Sequence, residues 1–196
     1  MSPPLPPRDL DRRRPLSLTL PVGAQLSRFY PKGRSAIHFD RNAPGRFNAP
    51  DAAFGVLYAA QSAAGAFAET FLRGAGRRLI PPDLIAAKGF VTLSAAAPLR
   101  LVQLFGPGLT RVGATAEVAH GGLPYDCPQQ WSGAIHALKE NFDGIAYYAR
   151  HDDNEICCAL FDRGAGKISE RNRETNLERD WFYALLERYD VGLTPD

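Results

Sequence analysis

Cysteine is scarce in this chain: three among 196 residues, Cys127, Cys157 and Cys158. An odd count with two adjacent members makes a poor disulfide framework, and neighbours in a strand point to opposite faces. All three read as reduced thiols, which suits the cytoplasm. Charge of one sign is not in excess either. A net charge of +2 is too small to argue for direct contact with nucleic acid, and beyond the N-terminus the cations are interspersed with Asp and Glu. No apolar run approaches the ~20 residues a membrane span needs. The N-terminus also lacks the apolar stretch of a signal peptide. The expectation is a cytoplasmic protein with no membrane partner.

Several reaction signatures are missing as well. There is no Walker-type phosphate loop. Gly74-Ala75-Gly76 follows a helical pattern rather than a strand and has no third glycine, so it reads as a helix end, not a dinucleotide fingerprint. No G-x-S-x-G elbow occurs. The histidines His38, His120, His136 and His151 are scattered, without an H-E-x-x-H pair. His151 with Cys157 and Cys158 lacks the second ligand pair that zinc spacing requires. Neither a metal site nor a Cys–His nucleophile is expected.

What is present is the composition of a packed domain: 45% apolar and 22% charged residues, close to the globular average. The length fits one domain with extensions. Residues 1–25 divide into a Pro/Arg-rich arm, read as a solvated tail, and a first strand at Leu16–Leu20. A polar, arginine-rich stretch precedes a buried strand over Phe54–Ala60. Ser62 is placed to cap a helix running to Arg73, in which Ala66, Phe67 and Phe71 share a face and Glu69 lies at its edge. Further strands are expected over Lys88–Ser94, Leu99–Phe105, Gly144–Tyr148 and Glu155–Phe161, with a turn at His151–Asn154. Tyr125–Asn141 reads as a loop entering a helix with Trp131, Ile135 and Leu138 inward. Residues 164–177 read as loop, and Leu177–Tyr189 as an amphipathic helix. Helices and strands mix without a βαβ repeat, which indicates an α+β fold. The domain expectation is 1–25 for arm and first strand, 26–165 for the catalytic domain, and 166–196 for a C-terminal loop and packed helix.

The residues left to carry chemistry are arginines, tyrosines and one glutamate. Arg46 and Phe47 stand ahead of the strand that contains Tyr58, and Glu69 follows on the next helix. A strand feeding directly into a helix can set both side chains around one cleft. The segment Gly144–Arg150 offers another wall. Each residue also has a plainer reading. Tyr58 can be core, Glu69 a solvated helix edge, and Arg46 a surface partner of Asp40 or Asp51.

The segments Leu26-Ser27-Arg28-Phe29-Tyr30, Arg46-Phe47, Phe54–Ala60 and Ala68-Glu69-Thr70 resemble the opening motif and front half of a RES domain. Phe142–Ile145 through Arg150, then Cys158–Asp162, resemble its back half. The likeness covers roughly residues 26–162 and rests on the order and spacing of the motifs. It implies an ADP-ribosyltransferase-like fold with a small split β-sheet core and surrounding helices. It implies NAD as substrate, and a toxin of a bacterial toxin–antitoxin pair. The implied partner is a DNA-binding antitoxin that covers the active site.

The family is named for an Arg, a Glu and a Ser. Arg46, or else Arg28, matches the arginine and Glu69 the glutamate. The serine falls in the segment where this chain has Ala149, a departure that favours transfer of ADP-ribose to a target protein over NAD degradation by a glycohydrolase or phosphorylase. A third reading is a binding module that has lost activity with its serine. The implied catalytic residues are Glu69, Arg46 and Tyr58. Arg28, Tyr30, Arg46, Tyr58, Ala149 and Arg150 are the implied NAD-binding residues. The chemistry suits them. Nicotinamide leaves as a neutral molecule, a carboxylate stabilises the cationic ribose left behind, guanidinium groups bind pyrophosphate oxygens, and a tyrosine ring can stack on the nicotinamide face.

Overall fold

The structure, a computed structural model, describes residues 3–42, 45–74, 76 and 78–195; Ala75 of the Gly-Ala-Gly run lies outside them. Ten strands and six helices follow in order: β1 Ser17–Leu20, β2 Gln25–Pro31, β3 Val56–Ala60, α1 Ala63–Phe71, β4 Leu79–Ile80, α2 Pro82–Ala86, β5 Lys88–Ala95, β6 Leu99–Gln103, α3 Pro107–Val112, α4 Ala116–His120, α5 Asp126–His136, β7 Gly144–Ala149, β8 Asp152–Phe161, β9 Ile168–Glu174, α6 Asp180–Arg188 and β10 Gly192–Leu193. Eight strands form one sheet in the order β1-β6-β7-β8-β3-β2-β5-β9, while β4 and β10 make a separate parallel pair. Helices around a mixed sheet give the α+β class expected. Among the described residues no helix is long and apolar enough to cross a membrane.

The sheet is larger than the small core expected, but it is split. β2 and β3 are matched at one residue pair, Ser27 with Ala60, whereas β2 pairs β5 over seven residues and β3 pairs β8 over five. In an antiparallel ladder alternate residues turn their N–H and C=O to the same side. Ala60, Tyr58 and Val56 turn theirs away from β8, and each meets a different partner. Ala60 pairs with Ser27. The Tyr58 carbonyl accepts from Arg28 Nη1 at 2.7 Å. Val56 exchanges both backbone bonds with Asp40, at 3.0 Å each. A guanidinium and a loop thus complete an edge that the diverging strand leaves open, because buried backbone polar groups need partners.

Side chains on the two faces build two cores. Val56 and Ala60 of β3, Ile145, Tyr147 and Ala149 of β7, and Phe29 and Phe90 pack with the helices. Leu57, Ala59, Leu26, Tyr30, Val91, Leu93 and Leu160 form the second core. Cys157 joins the first and Cys158 the second, as neighbours on one strand must; both are free thiols. Ser62 caps α1 by accepting from the Gly65 N–H at 2.9 Å. The helix ends at Phe71, before Gly74.

Three expectations need correction. Residues 168–174, read as loop, form strand β9, whose central residues are exposed. It lies at the sheet edge, so it shows no alternating apolar pattern. The turn between β7 and β8 is shorter than His151–Asn154, since pairing resumes at Ala149 with Asp152 across a bulge. The N-terminal arm is not a solvated tail. Leu10 is 4% exposed and joins the core shared with Val112 and Trp131. Trp131 Nε1 donates to the Pro4 carbonyl at 2.7 Å. Replacing Leu10 by Ala is expected to cost about 2–5 kcal/mol of unfolding free energy, the range for a buried leucine. Urea denaturation checks this; a loss near zero is the result for a mobile tail.

Candidate functional site

The site forms where the loop from β2 to β3 passes over the helix-covered face. The peptide of Arg46 is clamped from both sides. Gln129 Nε2 donates to the Gly45 carbonyl at 3.1 Å, and Ser132 Oγ donates to the Phe47 carbonyl at 2.6 Å. Both donors belong to α5. From below, the Phe47 N–H donates to Tyr58 Oη at 2.7 Å, and Tyr58 Oη donates to Asn48 Oδ1 at 2.9 Å. Burial pushes the Tyr58 phenol well above its usual pKa, so the hydroxyl stays protonated and can donate and accept at once.

So held, Arg46 is 8% exposed. Its guanidinium carbon lies 5.7 Å from the Tyr125 ring centre and 5.9 Å from that of Tyr147. Nη1 is 3.7 Å from Glu69 Oε2, close enough to pair but not to hydrogen-bond. Nε and Nη1 have no hydrogen-bond partner although both are buried. Burial works against the charge, but Glu69 and the surrounding tyrosines outweigh it and hold the pKa above the usual arginine value.

Glu69 reaches the site from the edge of α1. Oε1 accepts from the Arg150 backbone N–H at 2.8 Å, and Oε2 accepts from Tyr147 Oη at the long distance of 3.5 Å. The bond to Arg150 ties the carboxylate to the turn that ends β7. Tyr147 is pushed far up by burial, with the adjacent Glu69 carboxylate adding to the effect; it too stays protonated.

Arg46, Tyr58 and Glu69 therefore converge. Arg150 contributes a backbone N–H, and Ala149 is buried beside it at 1% exposure. Arg28 lies at the split rather than on the cleft wall. It has no partner for its buried Nε, and burial lowers its pKa to about 10. Tyr30 does not join them. It packs in the opposite core with its ring against Gly89 and the Arg173 guanidinium 5.7 Å from its centre; strand alternation from Leu26 already places it there. Three site residues escaped sequence reasoning: Tyr125, Tyr147 and Asn48. For Tyr147 a signal existed, because it alternates with Ile145 and Ala149 on the inward face.

Tyr58→Phe deletes the bridge and leaves the buried Phe47 N–H without a partner. The expected loss is about 1–3 kcal/mol, the cost of an orphaned buried donor. Chemical denaturation reads it, and a change under about 0.5 kcal/mol excludes the bridging role.

The comparisons with known proteins come to bear on this geometry. The RES domain family model matches residues 24–181. No curated protein matches the chain. Among solved structures, a chain from the crystal structure of the M. tuberculosis MbcT-MbcA toxin-antitoxin complex superposes with a TM-score of 0.65 at 16% identity, over 94% of this chain and 98% of that one. At that identity the likeness is one of fold.

Proposed function

The chain belongs to the RES domain family, and from that premise we propose that it is the toxin of a toxin–antitoxin pair, an enzyme that cleaves the nicotinamide–ribose bond of NAD and transfers ADP-ribose to a cellular target protein. The observation that carries this reading is that two buried Arg46 nitrogens, Nε and Nη1, have no hydrogen-bond partner, beside a fixed carboxylate. Buried donors are rarely left unmade without a reason. A pyrophosphate offers the anionic oxygens that guanidinium groups bind best, so the residues present fit the substrate.

In this reading Arg46 binds the substrate's phosphates. Arg28 acts at the split, where its unpartnered Nε and depressed pKa both favour an approaching anion. Glu69, oriented by the Arg150 N–H, stabilises the positive charge that grows on ribose as neutral nicotinamide departs. Tyr58 is a positioning residue as much as a contact, since its hydroxyl holds the Arg46 loop. Tyr147 and Tyr125 supply aromatic walls near the guanidinium. Tyr30, buried in the opposite core, takes no part.

An antitoxin partner is supported by the structural neighbour, whose chain comes from a toxin-antitoxin complex. Release of ADP-ribose to water or phosphate, which would deplete NAD, differs from the proposed reaction only in the acceptor. Ala149 in place of the family serine favours the protein acceptor.

Incubation of the chain with labelled NAD and a cell lysate tests the proposal. Nicotinamide release with a discrete labelled protein band is the expected result. Nicotinamide release without a band replaces transfer by NAD degradation, and no release from folded protein overturns both. Glu69→Gln keeps an acceptor for the Arg150 N–H and is expected to remain folded while losing about 10²-fold or more in turnover. A fully active Gln variant removes Glu69 from the mechanism.

A further inference from the structure

We infer that the proline-rich N-terminal arm is a strap that positions Arg46 by holding α5 in place. The arm lies outside the stretch matched by the family model, which begins at residue 24. Even so, it makes specific contacts with the helix that clamps the Arg46 loop. Trp131, fully buried, donates its indole N–H to the Pro4 carbonyl. Cys127, one turn earlier, donates its thiol to the Pro4 and Pro3 carbonyls at 3.4 and 3.7 Å. Proline suits this task. Its ring fixes φ, so a Pro-rich segment loses little freedom on docking. It has no N–H of its own to satisfy, and it presents carbonyls to an aromatic donor as proline-rich ligands do in peptide-binding grooves. Farther along, Leu10 is buried, and Arg13 Nη1 donates to the Val112 carbonyl at 3.2 Å.

The same helix faces the site. Tyr125 immediately precedes it and packs on the Arg46 guanidinium. Gln129 and Ser132 hold the carbonyls on either side of Arg46. Along α5 the contacts alternate: Tyr125 to the site, Cys127 to the arm, Gln129 to the loop, Trp131 to the arm, Ser132 to the loop. A displacement of α5 toward the arm's side therefore draws on the clamp around Arg46. Undocked, the arm no longer resists that displacement.

Cys127 is a convenient reporter, because Cys157 and Cys158 are 1% and 0% exposed. In native protein a maleimide reads Cys127 first. The test compares the full chain with a variant lacking residues 1–8, which retains Leu10. Labelling of Cys127 is expected to accelerate about tenfold or more as the covering carbonyls leave. The second readout rests on the NAD reading: KM for NAD is expected to rise about tenfold with kcat within about twofold, as lost ground-state positioning requires. Unchanged labelling overturns the strap. Faster labelling with unchanged KM overturns its link to Arg46. If the full chain turns over no NAD, that reading fails, and the labelling result alone decides the strap. Should the truncated protein not fold, the full-length Pro3→Gly/Pro4→Gly variant takes its place, with the same accelerated labelling expected.

Discussion

Everything at the site follows from one discontinuity in hydrogen bonding. Two groups of strands are joined at a single pair, Ser27 with Ala60, and beyond it the inner edge of β3 has no strand to bond. A buried edge cannot stay open. The chain closes it with the Arg28 guanidinium on the Tyr58 carbonyl and with the Asp40 backbone on Val56. The second solution brings the loop between β2 and β3 back against the sheet. Having been drawn in, the loop continues across the helix-covered face and presents Arg46 to Glu69. The placing of Arg46 beside Glu69 is therefore a product of the split.

The site is held at its backbone and left unsatisfied at the Arg46 guanidinium. Four hydrogen bonds fix the residues around Arg46, and one fixes Glu69. By contrast Arg46 Nε and Nη1 have no hydrogen-bond partner. Burial raises the phenols of Tyr58 and Tyr147, and Glu69 adds a like charge near Tyr147, so both stay neutral.

Much of this was legible in the chain. The helix cap at Ser62, the inward face of α5 and the strands β3, β5 and β7 follow from local periodicity and spacing, while the grouping of Arg46, Tyr58 and Glu69 rests on the resemblance to the RES domain. What could not be read depends on distance along the sequence. β9 is polar because it is a sheet edge, and its partner β5 lies far away in the chain. Tyr30 enters the expected site through the resemblance of Leu26–Tyr30 to the family's opening motif, although alternation from Leu26 points it to the other core. The arm reads as solvated because its apolar anchor, Leu10, stands among prolines, arginines and aspartates. The helix that the arm contacts, α5, lies more than a hundred residues along the chain, and no short window contains both.

The edge strand β9 has a consequence of its own. Its residues Ser169 to Arg173 are all exposed, and Arg173 closes a pair with Glu170 along the strand. An incoming strand would have to bury those charges to gain the free backbone bonds of the edge, an exchange that costs more than it returns. That edge of the sheet is thereby guarded against extension, in contrast to the uncharged edge strand β1 at the opposite end.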